Sequence, residues 1–309
     1  METVMQWVNT QLDLFKQIGQ EVNIYVLVTL AMSGERTDVL DFLVTQGLDV
    51  SKPNDFMHFA ASGGHLESIK WLLGKGVNVD SRDQENSTPM HKAVMAEKVD
   101  VMRYLKERGA DLYVKDGNGF SPMDYAVLKE YVEGIKCLTK LGYDINSKDD
   151  QGQTIVFKAA MFGKIESIKC LKELGADINA KSNSGKTLIF SAALGGQIDT
   201  IKYLKGIGFD VNAKCNAGST LLCSAASSGQ IECIEYLISI GADINSTTNN
   251  GMTPIFFATW GRHLECMKRM KELGAKVDVK AENGSTPLSY AIEDGFTDVE
   301  EWLRANGAK

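Results

Sequence analysis

The chain has 309 residues, 44% of them hydrophobic and 24% charged, with 5 prolines, the composition of a chain that folds and not of a disordered one. The 33 Lys and Arg stand against 40 Asp and Glu for a formal charge of -7; with no basic stretch to neutralise phosphates, a nucleic-acid partner is excluded. No window approaches the run of about 18 apolar residues that a membrane span needs, and length alone, at roughly 100 to 200 residues per domain, predicts two domains.

Residues 1 to 18 set Val4, Val8, Leu12, Phe15 and Ile18 near helical spacing, which predicts a capping helix over 1–19. The start, Met1-Glu2-Thr3-Val4-Met5, has neither the basic opening nor the apolar run of a secretory leader, so a cytoplasmic location is expected. From about Gln20 a repeat takes over. Glycines at 76, 109, 142, 175, 208, 241, 274 and 307 are each 33 residues apart, and Gly47 precedes Gly76 by 29. A fixed period of this size signals a stack of small units.

Each period reads as helix, turn, helix, glycine stop and polar loop. The first helix opens at Thr88-Pro89, Ser121-Pro122, Thr253-Pro254 and Thr286-Pro287, with proline where a missing N–H does no harm. Repeat one, about Gln20 to Val50, has Val26-Leu27-Val28-Thr29 in that slot. The second helix carries apolar columns seven and four residues before the glycine, Ile168 and Leu171 for example. These two columns are the expected core, and the glycine supplies the left-handed residue that ends the helix. The shorter first interval leaves four residues out of the loop at Ser51 to Asn54, which predicts a blunt projection there.

Thr88-Pro89-Met90-His91-Lys92-Ala93, the turn Gly64-His65-Leu66-Glu67 and the endings Gly175 to Asn179 and Gly241 to Asn245 together resemble ankyrin repeats. The resemblance covers nearly the whole chain. It implies an all-α solenoid of stacked helix-turn-helix units with β-hairpin-like finger loops, and a role in binding other proteins. On this pattern residues 20–309 form one domain of nine repeats, the first and last being degenerate caps; Glu300 in the last core column and the stop just after Gly307 mark the C-terminal cap.

No catalytic set stands out. Ser184-Gly185-Lys186-Thr187 mimics the end of a phosphate loop, but Ala180 stands where its first glycine is required. His58, His65, His91 and His263 fall at repeat positions and are expected to bond loop backbone. The six cysteines lack metal-ligand spacing; Cys137 and Cys170 in one column and Cys233 and Cys266 in another read as small buried hydrophobes, and Cys215, on a finger, as the exposed thiol. An acid begins every second helix, with Lys or Arg three residues later in six units, such as Glu67 with Lys70, a solvated, self-paired face. Lys115, Lys148, Lys181, Lys214 and Lys280 form an unpaired loop column. Glu97, Glu130 and Arg262 occupy turns where other units have glycine, and with Gly134 inside a helix they predict a looser stretch.

The informative column follows the alanines of the first helix: Met95, Leu128, Met161, Leu194, Ser227 and Trp260, with Phe162 beside Met161. Phe120 and Met252 join it from the fingers. On the ankyrin pattern these lie on the concave side, where exposed apolar and aromatic anchors suit a binding surface; packing between repeats is the competing reading for Met95, Leu128 and Leu194. The expected protein is therefore a non-enzymatic scaffold, an adaptor or inhibitor that holds a protein partner. It needs no metal or cofactor, contacts neither membrane nor nucleic acid, and is monomeric. The alternative is a host-directed effector or a regulatory or targeting subunit of a larger enzyme complex.

Overall fold

A computed structural model describes residues 3–17, 23–50 and 55–309; among these it has nineteen helices and no strand. Ile18 and the loop Ser51 to Asn54 lie outside the described residues, as does the side chain of Phe15. Helix α1 spans Val4–Gln17. Pairs follow: α2 (Ile24–Ser33) with α3 (Thr37–Thr45), α4 (Phe56–Gly63) with α5 (Leu66–Gly74), α6 (Pro89–Met95) with α7 (Val99–Glu107), and α8 (Pro122–Leu128) with α9 (Val132–Lys140). These belong to a compact unit, Met1–Tyr143.

The second unit, Asp144–Lys309, begins with α10 (Ile155–Met161) and α11 (Ile165–Glu173), then α12 (Leu188–Leu194) and α13 (Ile198–Gly206). It continues through α14 (Leu221–Ser227), α15 (Ile231–Ser239), α16 (Pro254–Trp260) and α17 (Leu264–Glu272) to α18 (Pro287–Glu293) and α19 (Thr297–Ala305). Within it α10, α12, α14, α16 and α18 pack in series, each also against its own second helix. In the first unit α2, α4, α6 and α8 do the same.

The two predicted columns are the core. Ile168, Leu171, Ile201 and Leu204 are fully buried, as are Ile69, Leu72, Met102 and Leu105 in the first unit. A lone seven-residue helix is too short to persist in water, so it is this burial between neighbours that holds the first helices. The glycine stop works as expected at Gly175, whose φ is +93°. Its N–H donates to the Lys172 carbonyl at 3.1 Å and the Ala176 N–H to that of Leu171 at 2.9 Å, which closes the last turn.

The N-terminal caps divide by the residue three places on. Ser121 Oγ accepts from the Asp124 N–H at 3.3 Å while the Ser121 N–H donates to Asp124 Oδ2 at 2.7 Å, a reciprocal capping box. The Thr88 N–H likewise donates to His91 Nδ1 at 3.0 Å, which leaves Nε2 to donate to the Phe120 carbonyl at 2.9 Å. Where Phe157 or Phe256 stands there instead, the hydroxyls of Thr154 and Thr253 are buried with no hydrogen-bond partner.

Three expectations are corrected. Leu12 is 39% exposed: the main contact of α1 is with the single helix α3, and its inward stripe is buried Val8 with half-buried Val4, Trp7 and Gln11. The Arg36 guanidinium lies 5.8 Å from the Trp7 ring centre. The left-handed turns at Glu97, Glu130 and Arg262 are present, with φ of 60°, 54° and 53°, but Glu35 is a fourth, at 51°. Gly134 has a packing reason, since a Cβ there would meet the Tyr131 ring at 2.2 Å; the ring fills the space beside the helix.

Candidate protein-binding surface

The finger loops are tight backbone turns. The Asp116 N–H donates to the Phe120 carbonyl at 2.9 Å and the Ser182 N–H to that of Lys186 at 2.9 Å, so Ser184-Gly185-Lys186 is a finger like the others. Asp116 Oδ1 also accepts from the N–H groups of Asn118 and Phe120 at 2.9 and 3.0 Å. The Tyr125 hydroxyl and these bonds hold the Asp116 carboxyl below the usual carboxylate range against the opposing, and largest, effect of burial. In the second unit the fingers are also tied to one another. The N–H groups of Asn183, Asn216 and Asn249 donate to the carbonyls of Gln151, Ser184 and Ala217, each at 2.9 Å.

Cys215 occupies the Asp116 place and is buried, against expectation. Asp116 and Ser182 in the same place are buried too, whereas Asp149 is exposed, and the thiol accepts none of the backbone bonds that Asp116 collects. All six cysteines are buried, and desolvation pushes the Cys233 and Cys266 thiols up to about 12.

Three of the four histidines bond backbone as expected. His58 Nε2 lies 2.9 Å from the Ser87 carbonyl, His91 meets Phe120, and His263 Nε2 lies 3.2 Å from the Ser227 carbonyl. The His65 ring instead packs against Phe59, centroids 5.7 Å apart. Burial lowers His91 and His65 from the ordinary imidazole value. On the second helices the acids close onto their own lysines, Glu67 with Lys70 at 2.5 Å, Glu166 with Lys169 at 2.6 Å and Asp199 with Lys202 at 3.0 Å. Lys169 and Lys202 also lie over the rings of Tyr203 and Tyr236. That face is occupied by its own charges, and being exposed it contributes little to stability. In the lysine column, the Lys214 ammonium donates to the Thr247 carbonyl at 3.2 Å.

The apolar column falls at the C-terminal ends of the first helices. In the first unit Met95, 40% exposed, ends α6, and half-buried Leu128 ends the neighbouring α8. Half-buried Phe120 sits on a finger, its ring edge-on to Tyr125 at 5.9 Å. In the second unit half-buried Met161 and Leu194 end α10 and α12, with Phe162 39% exposed and Trp260, at the end of α16, 40% exposed. Met252 is half-buried just before the α16 cap.

Sequence reasoning missed the companions of Trp260. Its ring packs edge to face on Phe257 at 5.1 Å and on Tyr290 at 5.4 Å, and Ile292 nearby on α18 is 48% exposed. The signal was available: Phe257 lies three residues before Trp260, on the same helical face. No helix among the described residues is long and apolar enough to cross a membrane.

Stacked helix pairs, each stopped by a left-handed glycine and followed by a tight finger, define a helical-repeat protein. A family model described as ankyrin repeats (3 copies) matches residues 57–149, 125–215, 156–248 and 222–309, and one described as ankyrin repeats (many copies) matches 27–73. The chain belongs to the ankyrin repeat family. Ankyrin repeats generally mediate protein–protein interaction and are typically non-enzymatic modules.

Proposed function

We infer that this is a non-enzymatic, monomeric cytoplasmic protein that holds a protein partner as an adaptor or inhibitor, with residues 20–309 acting as one repeat domain behind an N-terminal cap at 1–19. The binding residues are Met161, Phe162, Leu194, Met252 and Trp260 in the second unit and Met95, Phe120 and Leu128 in the first. The observation that carries the reading is the exposure of Trp260 and Phe162 at the ends of first helices. Large apolar side chains left in water beside rigid turns suit contact hot spots. The second-helix face is an unsuitable rival because its charges already satisfy one another. Changing Met161, Phe162 and Trp260 together to serine is expected to abolish capture of the partner from extracts of the source cell while the helical circular-dichroism signal stays unchanged. Undiminished capture by the folded variant refutes the assignment.

A further inference from the structure

Phe257 and Trp260 stand three residues apart on α16, and Tyr290 and Glu293 three apart on α18, so each pair shares one helical face. Tyr290 and Glu293 each follow their counterparts by 33 residues, and the four make a two-by-two block on adjoining helices, whose axes lie roughly 8 to 10 Å apart. Trp260 is held there by Phe257 and Tyr290, their planes inclined to its own at 71° and 89°, the edge-to-face arrangement that aromatic rings prefer. It stays 40% exposed all the same. The matching place on α14 holds Ser227, too short to cover an indole.

Charge selects the occupant. Glu293 is the last residue of α18 and Asp294 follows it as the cap, both exposed. Among the described residues neither carboxylate forms a hydrogen bond or an ion pair. The end of a helix where carbonyls point outward is also the unfavourable one for an acid, so nothing within the chain offsets these two charges. The basic groups that follow Trp260 in the chain are committed elsewhere. The Arg262 guanidinium is paired with Asp298 at 3.1 Å and lies 5.6 Å from the Phe296 ring centre, and His263 Nε2 lies 3.2 Å from the Ser227 carbonyl.

We propose that this block receives an arginine side chain of the protein partner, its guanidinium against the Trp260 ring and its N–H groups donating to the carboxylates of Glu293 and Asp294. A cation is drawn to the electron-rich face of an indole, and two free carboxylates beside that indole match the several donors of a guanidinium. Arginine suits the place better than lysine because its planar, weakly hydrated group can lie on a ring and fork to acids at once, whereas an ammonium keeps its water. Holding Trp260 in one orientation through Phe257 and Tyr290 lowers the entropy lost when the arginine arrives. The proposal rests on the reading of Trp260 as a binding residue and adds the chemistry of what it binds.

The test selects displayed random peptides against the full chain and remakes the best binders with arginine intact, with citrulline, its neutral isostere, or with lysine. Binders are expected to share an arginine and to weaken on Trp260→Ser. Citrulline should weaken binding to the full chain about tenfold, the factor for losing one charge-assisted hydrogen bond. On a variant with Glu293→Gln and Asp294→Asn the same exchange should cost less than about twofold, because the coupled partners are gone. Each variant is checked for an unchanged helical signal. Binders lost in Trp260→Ser that carry no arginine, or that tolerate citrulline or lysine without loss, overturn the arginine site and leave the surface reading standing. Binders indifferent to Trp260→Ser overturn the surface reading along with it, and a selection that yields no binder overturns the arginine site.

Discussion

Replacing Thr154 by valine should stabilise the protein, although threonine is ordinarily the better residue at a helix N-cap. The usual advantage, about 1 kcal/mol, comes from the side-chain oxygen accepting a backbone N–H, and at Thr154 no such bond forms. The hydroxyl is instead buried without a partner, a condition that costs about 1 to 3 kcal/mol. Valine keeps the branched shape, suits the extended backbone at φ −99° and ψ 172°, and buries a methyl group in place of the hydroxyl, worth about 0.8 kcal/mol. A net gain of about 1 to 2 kcal/mol is expected. Equilibrium urea unfolding followed by circular dichroism reads it as a higher midpoint at unchanged slope. Ser121→Ala is the control, because there the capping box is formed and its loss should cost about 1 to 2 kcal/mol. If Thr154→Val destabilises by as much as Ser121→Ala, the buried hydroxyl has a partner and the reasoning from the phenylalanine at the third position fails.

Other outcomes follow from the same structure. Burial holds His91 below its ordinary value of 6.5, so as pH falls the unfolded chain takes up the proton first. The stability linked to neutral His91 is therefore complete above about pH 6.5 and lost as pH drops through the folded-state value, with a slope of at most about 1.4 kcal/mol per pH unit. His91→Gln should flatten that slope in urea titrations at successive pH values; an unchanged slope refutes the assignment. Cys215→Asp should restore the two backbone bonds that Asp116 accepts at its own finger and raise stability by about 1 kcal/mol; a lower unfolding midpoint counts against it. Iodoacetamide at pH 8 should label none of the six buried cysteines in the native protein and all of them in guanidinium, as read by intact mass; rapid labelling of native Cys215 would return it to the surface.

The repeat made the fold legible because its punctuation is chemical: a glycine that must be left-handed and a Thr-Pro opening leave little choice of local structure. What stayed hidden depends on neighbours. Cys215 is buried on its finger while Asp149, in the same place and with the same backbone bond, is exposed, a difference set by neighbours that position in the repeat does not announce. The stripe of α1 is set by its one main neighbour, so Trp7 displaces Leu12 from the inner face. Grouping into the units Met1–Tyr143 and Asp144–Lys309 leaves no mark on a period that runs unbroken through the boundary. Of the candidate surface, Trp260 and Phe162 were visible as apolar residues at a position the pattern leaves open. The ring contacts of Trp260 with Phe257 and Tyr290 required knowing which turn of α18 lies beside α16.

The backbone bonds from finger to finger run from Asn183 to Gln151, from Asn216 to Ser184 and from Asn249 to Ala217, and each joins the same two places in successive periods. Donors and acceptors along this edge are therefore interchangeable. Cutting out one whole period between Asn183 and Asn249 would let the finger on one side of the cut bond the finger on the other, with no orphaned group. Along this edge a change of one whole repeat keeps these bonds, whereas a smaller step would put donor and acceptor out of register, so the number of units here can vary by duplication or loss of whole periods.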